Sequence, residues 1–352
     1  MAIAAGRAFE RVSAGERCVD GTHGGAGGRA DLRSPSRSAA AAAAASRLTI
    51  RSEVDDAMDA LHARMVTYNA AIQAKGHLKA GFARESTSGA DLGSYDRWEA
   101  EYRAYRRTLA DFALQLEAYN TDRLRRLGGW RLPATPDVPV HGSGAPQRRD
   151  IQLGTLRNTA FTLSPLLSER ECAAMIETAD AIGCRPLVST LTRSERSNTR
   201  AILTDPALAA RLWAAVRAHV PPVVKSSEGE WVPYNVSEQL RLCRYLRGEH
   251  FGAHKDDRFK NRDVSLFSMM TIVIYLNDGF EGGRLNFLRH EGAGGVVASV
   301  RPAAGMACVF DQLLLHEGER LEAGTKWLLR ADVVYIKKGV NRRAVHKHRA
   351  AV

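Results

Sequence analysis

From Trp231 onward the chain breaks into short runs of alternating apolar and polar residues, a pattern that restricts the fold more than any other feature. The runs cover residues 239–246, 266–276, 295–300, 306–310 and 327–336, and glycine or Asn/Asp turns separate them. A period of two places alternate side chains on opposite faces of a strand. Many short strands of this kind, so closely spaced, indicate a β-sandwich or jelly roll. Upstream, Ser168 followed by Glu171 forms a capping-box pattern ahead of a helix through about residue 181, and a second helix is expected over residues 206–219. The expected fold class is therefore α+β: a β-sandwich or jelly roll with flanking helices.

The rest of the chain reads as appendages to that domain, which is expected to span residues 151–338. Residues 1–47 are rich in Gly, Ala, Arg and Ser and end in an alanine run from Ala39 to Ala45. Such a segment has too little large apolar surface to fold, so it reads as a disordered extension. Its composition also suits an organelle-targeting segment, although Glu10, Glu16, Asp20 and Asp31 oppose that reading. Residues 48–127 read as an α-helical hairpin. Val54, Met58, Leu61 and Met65 recur at spacings of three and four, as do Tyr102, Tyr105, Leu109, Phe112 and Leu116. These apolar stripes suit three uses: covering the neighbouring domain, self-association, or holding a partner. Residues 128–150, dense in Gly and Pro, read as a linker, and residues 339–352 as a basic tail.

Composition narrows the function classes. No run approaches the ~20 apolar residues of a membrane span, so no membrane role is expected. Of the net charge of +11, six positive charges lie in residues 337–352, so the surplus reflects a terminal tail and a nucleic-acid partner is not expected. The five cysteines are scattered without a CxxC pair. That pattern implies a reducing compartment without structural disulfides, and a cytoplasmic location.

Within the strand-rich region, His254 and Asp256 stand two residues apart, and His316 follows sixty residues later. Two imidazoles and one carboxylate are the set that holds a non-haem Fe(II) on one face and leaves the other face open. Residues i and i+2 of a strand point the same way, so His254 and Asp256 can grip one metal without special backbone geometry. Taken singly, each residue would read as structural; jointly they point to an iron-dependent oxygenase.

Residues 160–338 resemble the prolyl 4-hydroxylase-type branch of the Fe(II)/2-oxoglutarate dioxygenases. The resemblance is carried by Tyr245 with His254-x-Asp256, by Thr271 to Tyr275, and by Gly282-Gly283, which reads as a tight turn because glycine adopts positive φ freely. It continues through Val300, Pro302, Gly305 and Phe310, then His316-Glu-Gly and Gly324-Thr-Lys326-Trp327. It implies Fe(II) held by His254, Asp256 and His316, with 2-oxoglutarate and O2 as cosubstrates and ascorbate as reductant. The implied reaction is hydroxylation of a C–H bond, of a prolyl residue in a peptide. The same chemistry on a free amino acid or small metabolite is the alternative, and a catalytically silent partner-binding module is a third reading. Lys326 occupies the family's position for the cation that anchors the far carboxylate of 2-oxoglutarate. Arg330 rivals it, since residues i and i+4 of a strand share a face. Buried without a partner, Arg330 would be costly, so it needs an acidic neighbour or the ligand. Tyr245 is the implied second contact to 2-oxoglutarate, while Thr271 and Tyr275 line the same cavity. The sequence departs from the family at Arg284 and Leu285, where an acid and a threonine are usual, and this bears on the identity of the substrate.

Overall fold

The structure, a computed structural model, describes residues 53–74, 92–130 and 146–341, except 157, 190, 192–194, 262 and 292–294. The extension at residues 1–47, most of the 128–150 linker and the basic tail beyond residue 341 lie outside the described residues.

The described helices are α1 (Glu53–Ala74), α2 (Leu92–Arg126), α3 (Glu169–Ile182) and α4 (Pro206–Val216). The strands, in chain order, begin with β1 (Gln147–Asp150), β2 (Ala160–Ser164), β3 (Arg185–Pro186), β4 (Thr199–Thr204), β5 (Val224–Ser226) and β6 (Gly229–Val236). They continue with β7 (Gln239–Leu246), β8 (Phe251–His254), β9 (Leu266–Tyr275), β10 (Glu281–Gly282) and β11 (Leu285–Leu288). The last are β12 (Val296–Val300), β13 (Ala307–Asp311), β14 (His316–Gly318), β15 (Leu321–Ala323) and β16 (Thr325–Lys337). The five runs expected from sequence correspond to β7, β9, β12, β13 and β16.

Two antiparallel sheets face one another. The larger runs β1-β2-β13-β9-β16-β7-β4-β3, with β6 pairing the second half of β16 and β5 beyond it. The smaller runs β12-β11-β14-β8. Cys243, Val273, Tyr275 and Leu328 of the larger sheet meet Leu285 and Phe287 of the smaller in one apolar cluster. This is the expected jelly roll. The outer face of the larger sheet carries Leu242, Ile272 and Leu329, which pack on Met175 of α3 and Leu212 of α4. Both faces of β16 are thus covered, which explains its nearly continuous apolar sequence and makes the charged residues within it, Lys326, Arg330 and Asp332, conspicuous, Lys337 standing at its end.

Both expected helices of this domain form. Ser168 and Glu171 make the reciprocal capping box of α3. At α4, Asp205 accepts from the amides of Ala207 and Leu208. Helix α4 stops at Val216, short of residue 219, because the chain runs into Pro221 and Pro222, and a residue before proline avoids the helical region.

Helix α2 lies along β4. Asn120 donates to the Ile202 carbonyl (2.8 Å), the Thr204 amide donates to Thr121 Oγ1 (2.9 Å), and Gln239 donates to Glu117 (2.6 Å). Helix α1 is fastened through Arg123–Asp55 (2.7 Å) and Arg185–Asp59 (2.9 Å). These polar contacts attach the hairpin to β3, β4 and β7. Asp55, His62 and Asn69 are buried beside Met65 on α1. None of the described helices is long and apolar enough to cross a membrane. The four described cysteines carry free thiols.

Candidate active site

Strands β8 and β14 are neighbours in the smaller sheet, and their register sets His254 directly opposite His316. Opposite residues of an antiparallel pair share a face, so pairing alone brings the imidazoles together, with ring centroids 4.2 Å apart. Asp256 does not continue the strand as the sequence pattern implied. The chain leaves β8 after His254, and the Asp256 amide donates to the Gln312 carbonyl (3.1 Å), which turns the segment toward the larger sheet. The carboxylate still reaches both rings. His254 Nε2 lies 3.7 Å from Asp256 Oδ1 and His316 Nε2 lies 3.8 Å from Oδ2. One ligand atom from each residue falls within 4.8 Å of the others, a spacing that one metal ion can bridge.

The ring nitrogens are already sorted for ligation. Nδ1 of His254 faces the Gly252 carbonyl (2.8 Å) and Nδ1 of His316 faces the Leu314 carbonyl (2.9 Å). A carbonyl only accepts, so each Nδ1 carries the proton and each Nε2 presents its lone pair to the centre. Burial pushes the His316 pKa down to about 4, so this imidazole is neutral and free to ligate near neutral pH. For Asp256, burial works against ionisation, but the Arg330 guanidinium and the two histidines outweigh it and hold the carboxyl well below its usual range. Phe251 stacks on His254 at 3.5 Å and Phe310 meets His316 edge-on at 4.7 Å, which fixes both rings.

Behind the triad lies a polar chain. Thr271 Oγ1 donates to Asp256 (2.5 Å), and Arg330 pairs with Asp256 (2.9 Å) and Asp332 (3.2 Å). Asp332 also holds Arg241 (2.9 Å) and accepts from Gln312 (3.0 Å). Burial disfavours the Arg330 charge, yet Asp256 and Asp332 more than offset this and raise its pKa. Arg330 therefore has the acidic neighbours it requires.

Lys326, four residues earlier on the same face, has a different environment. It is 4% exposed, and its Nζ donates to the Gly283 carbonyl (2.5 Å). The rings of Tyr245 and Tyr275 lie 5.5 and 5.4 Å away. Among the described residues no carboxylate pairs with it, and burial pushes its pKa down to about 8. The Tyr275 hydroxyl is also buried without a partner. A buried ammonium without a counter-charge beside an unsatisfied phenol is costly, and a carboxylate from a ligand satisfies both. Gly282 and Gly283, expected as a tight turn, have φ of +71° and +64°. A Cβ at Gly282 would sit 2.5 Å from the Arg320 carbonyl, so only glycine fits the turn that presents the Gly283 carbonyl to Lys326.

Tyr245, Tyr275 and Lys326 thus cluster at one end of the inner face, while Thr271 and Arg330 attach to the metal-side carboxylate. Sequence reasoning missed Phe251, Gln312 and Asp332. Asp332 had a readable signal, an acid two residues after Arg330 in an apolar strand; Gln312 had none.

Residues 240–331 match the family model of the 2OG-Fe(II) oxygenase superfamily, a span that contains the triad, Lys326 and Arg330. No curated protein matches the chain. Among solved structures, a viral collagen prolyl hydroxylase from Paramecium Bursaria Chlorella virus-1 in a 2OG complex is similar at 16% identity. The alignment covers 50% of this chain and 96% of that one, with a TM-score of 0.36. A Pseudomonas putida prolyl-4-hydroxylase is 22% identical over 52% of this chain and 94% of its own, with a TM-score of 0.37. HygX from Streptomyces hygroscopicus, with nickel and 2-oxoglutarate bound, is 11% identical over 52% and 84%, with a TM-score of 0.33. Likenesses at this level carry no functional weight; the family match and the His-Asp-His geometry do. On those two findings residues 240–331 carry a 2OG-Fe(II) oxygenase domain, and the activity is that of a 2-oxoglutarate-dependent dioxygenase, whose reactants are Fe(II), 2-oxoglutarate and O2.

Proposed function

We propose that the protein hydroxylates a C–H bond of a prolyl residue in a peptide while 2-oxoglutarate is decarboxylated to succinate. The observation that carries the oxygenase reading is the convergence of His254, Asp256 and His316 on a point that one ion can occupy. The prolyl choice follows the motif resemblance over residues 160–338.

In this reading the two Nε2 atoms and an Asp256 oxygen hold the iron. When bound, the iron and 2-oxoglutarate supply the oxidation: O2 gives one oxygen atom to succinate and one to the substrate carbon, with CO2 released. The side chains do the rest. Lys326 Nζ receives the far carboxylate of 2-oxoglutarate, with the Tyr275 and Tyr245 hydroxyls as further donors. In a dry pocket such a charge-assisted bond is stronger than in water. Arg330 and Thr271 orient the Asp256 carboxylate. Phe251 and Phe310 keep the histidine rings aligned and shield them from water. No side chain acts as a nucleophile or general base.

The test is product balance. Purified full-length protein with Fe(II), ascorbate, 2-oxoglutarate and a library of proline-containing peptides should release succinate in proportion to peptide that is one oxygen atom heavier. Succinate release that no prolyl peptide stimulates would refute the prolyl reading, and absence of 2-oxoglutarate turnover under all conditions would refute the hydroxylase.

A further inference from the structure

Strand β4 lies two strands from β16 and turns its inner face to the same cavity. The register aligns Arg200 with Cys243, and Cys243 with Leu328, which lies between Lys326 and Arg330 on their shared face. Arg200 therefore stands in the same layer, two strand spacings or about 10 Å across the sheet. The segment leading into β4 is bound to the strand that ends in His254. The Gly252 amide donates to the Glu195 carbonyl (2.7 Å) and the Ser197 amide to the His250 carbonyl (3.2 Å). Arg200 is thus on the flank of the triad.

Its neighbours are committed. Arg241 pairs with Asp332 (2.9 Å) and Gln239 (2.9 Å), and Arg330 with Asp256 and Asp332. Arg196 binds Asn198 (2.7 Å) and lies 4.1 Å over Phe251, the ring stacked on His254. Arg200 alone of this group has no hydrogen bond or ion pair among the described residues, yet it is half-buried. The inner faces of β4, β7 and β16 carry four cations, Arg200, Arg241, Lys326 and Arg330, against two carboxylates, Asp332 on β16 and Asp256 beside Arg330. Burial, followed by the charges of Arg196 and Arg241, pushes the Arg200 pKa down to about 9. Bound iron and 2-oxoglutarate carry opposite charges, so together they leave this surplus in place.

We infer that Arg200 anchors a carboxylate of the substrate to be hydroxylated, which makes that substrate an acid. This rests on the oxygenase reading above and extends it. One free guanidinium fork matches one carboxylate in a bidentate pair, whereas a phosphate recruits a cluster of cations, and the others here are occupied. The carboxylate has two sources: a free imino or amino acid, or an acidic residue beside the target in a peptide.

The test uses the full chain loaded with Co(II) in place of iron, without turnover. Isothermal titration with 2-oxoglutarate comes first, followed by two probe pairs on the 2-oxoglutarate-bound protein. One pair is L-proline and L-prolinamide; the other is an acetylated alanyl-prolyl-aspartyl amide and its asparaginyl counterpart. In at least one pair the acid should bind about ten-fold more tightly than its neutral partner, the scale of one hydrogen bond to a charged group. Arg200→Met should erase that preference, and Arg200→Lys should keep part of it. Preference in the first pair alone assigns a free acid, and in the second alone a peptide. Equal or absent binding of acid and amide in both pairs, or a preference that survives Arg200→Met, overturns the inference. So does an Arg200→Met variant that loses more affinity for 2-oxoglutarate than for the acid probe. Failure of the wild-type protein to bind 2-oxoglutarate would instead sink the oxygenase reading, and this inference with it.

Discussion

Lys326 Nζ meets one carbonyl and two phenol rings, whereas Arg330 is held between two carboxylates. The two cations should therefore fail differently when removed. Lys326→Ala should raise the 2-oxoglutarate KM by about 100-fold, the scale of a lost charge-assisted bond. Arg330→Ala should act on metal affinity and stability, since it leaves Asp256 buried without its cation, at a cost of about 3–5 kcal/mol. Paired 2-oxoglutarate kinetics and Fe(II) titrations check the ranking; a larger KM effect in Arg330→Ala would move the anchoring role to that residue. The pH dependence follows from the same burial. Lys326 is charged below about 8 and loses its proton above it, so the 2-oxoglutarate KM should rise as pH increases through about 8. In Lys326→Arg, which stays protonated, the profile should be flat. The sign for stability is opposite: between about 8 and the ordinary lysine value of 10.5 the unfolded chain binds more protons, so the ligand-free fold gains stability as pH rises through that window. At this scale the sequence was informative where spacing encodes chemistry, as at His254, Asp256 and His316. It was silent where partners come from distant strands: nothing near Arg330 in the chain marked Thr271, and nothing marked Arg200 as the unpaired cation.

The elements that carry the site were readable because short apolar runs bounded by turn residues have one cause, burial of strands in a sheet. Strands β7, β9 and β16 follow the expected runs closely, since both faces of the larger sheet are covered. Asp256 departs from the strand expectation because a backbone contact with Gln312, 56 positions away, diverts the chain. No local pattern encodes such a contact. The Gly282-Gly283 turn was legible as a turn, but its purpose appears only with Lys326 in place. Gly282→Ala adds a Cβ against the Arg320 carbonyl at positive φ, which costs about 1–3 kcal/mol. It should lower the midpoint of thermal unfolding and also raise the 2-oxoglutarate KM through the displaced Gly283 carbonyl. A KM that stays unchanged would show that this carbonyl does not hold the lysine.

At the scale of the whole molecule, the hairpin and the jelly roll meet along β4, the strand that bears Arg200. Apolar periodicity located both helices but did not show where they dock, because the contacts run through Asn120, Thr121, Glu117 and Arg123. Asn120→Ala leaves the buried Ile202 carbonyl without its donor and should cost about 1–3 kcal/mol. Urea unfolding should show the loss in one transition if the hairpin and sheet unfold together, and in a separate early transition if they do not. Metal content tests the whole most directly. Full-length protein titrated anaerobically with Fe(II) should bind one ion per chain. His254→Ala, Asp256→Ala and His316→Ala should each lose that ion while keeping the far-ultraviolet spectrum of the folded protein. Retention of the ion by all three folded variants would contradict the assignment of these side chains as its ligands.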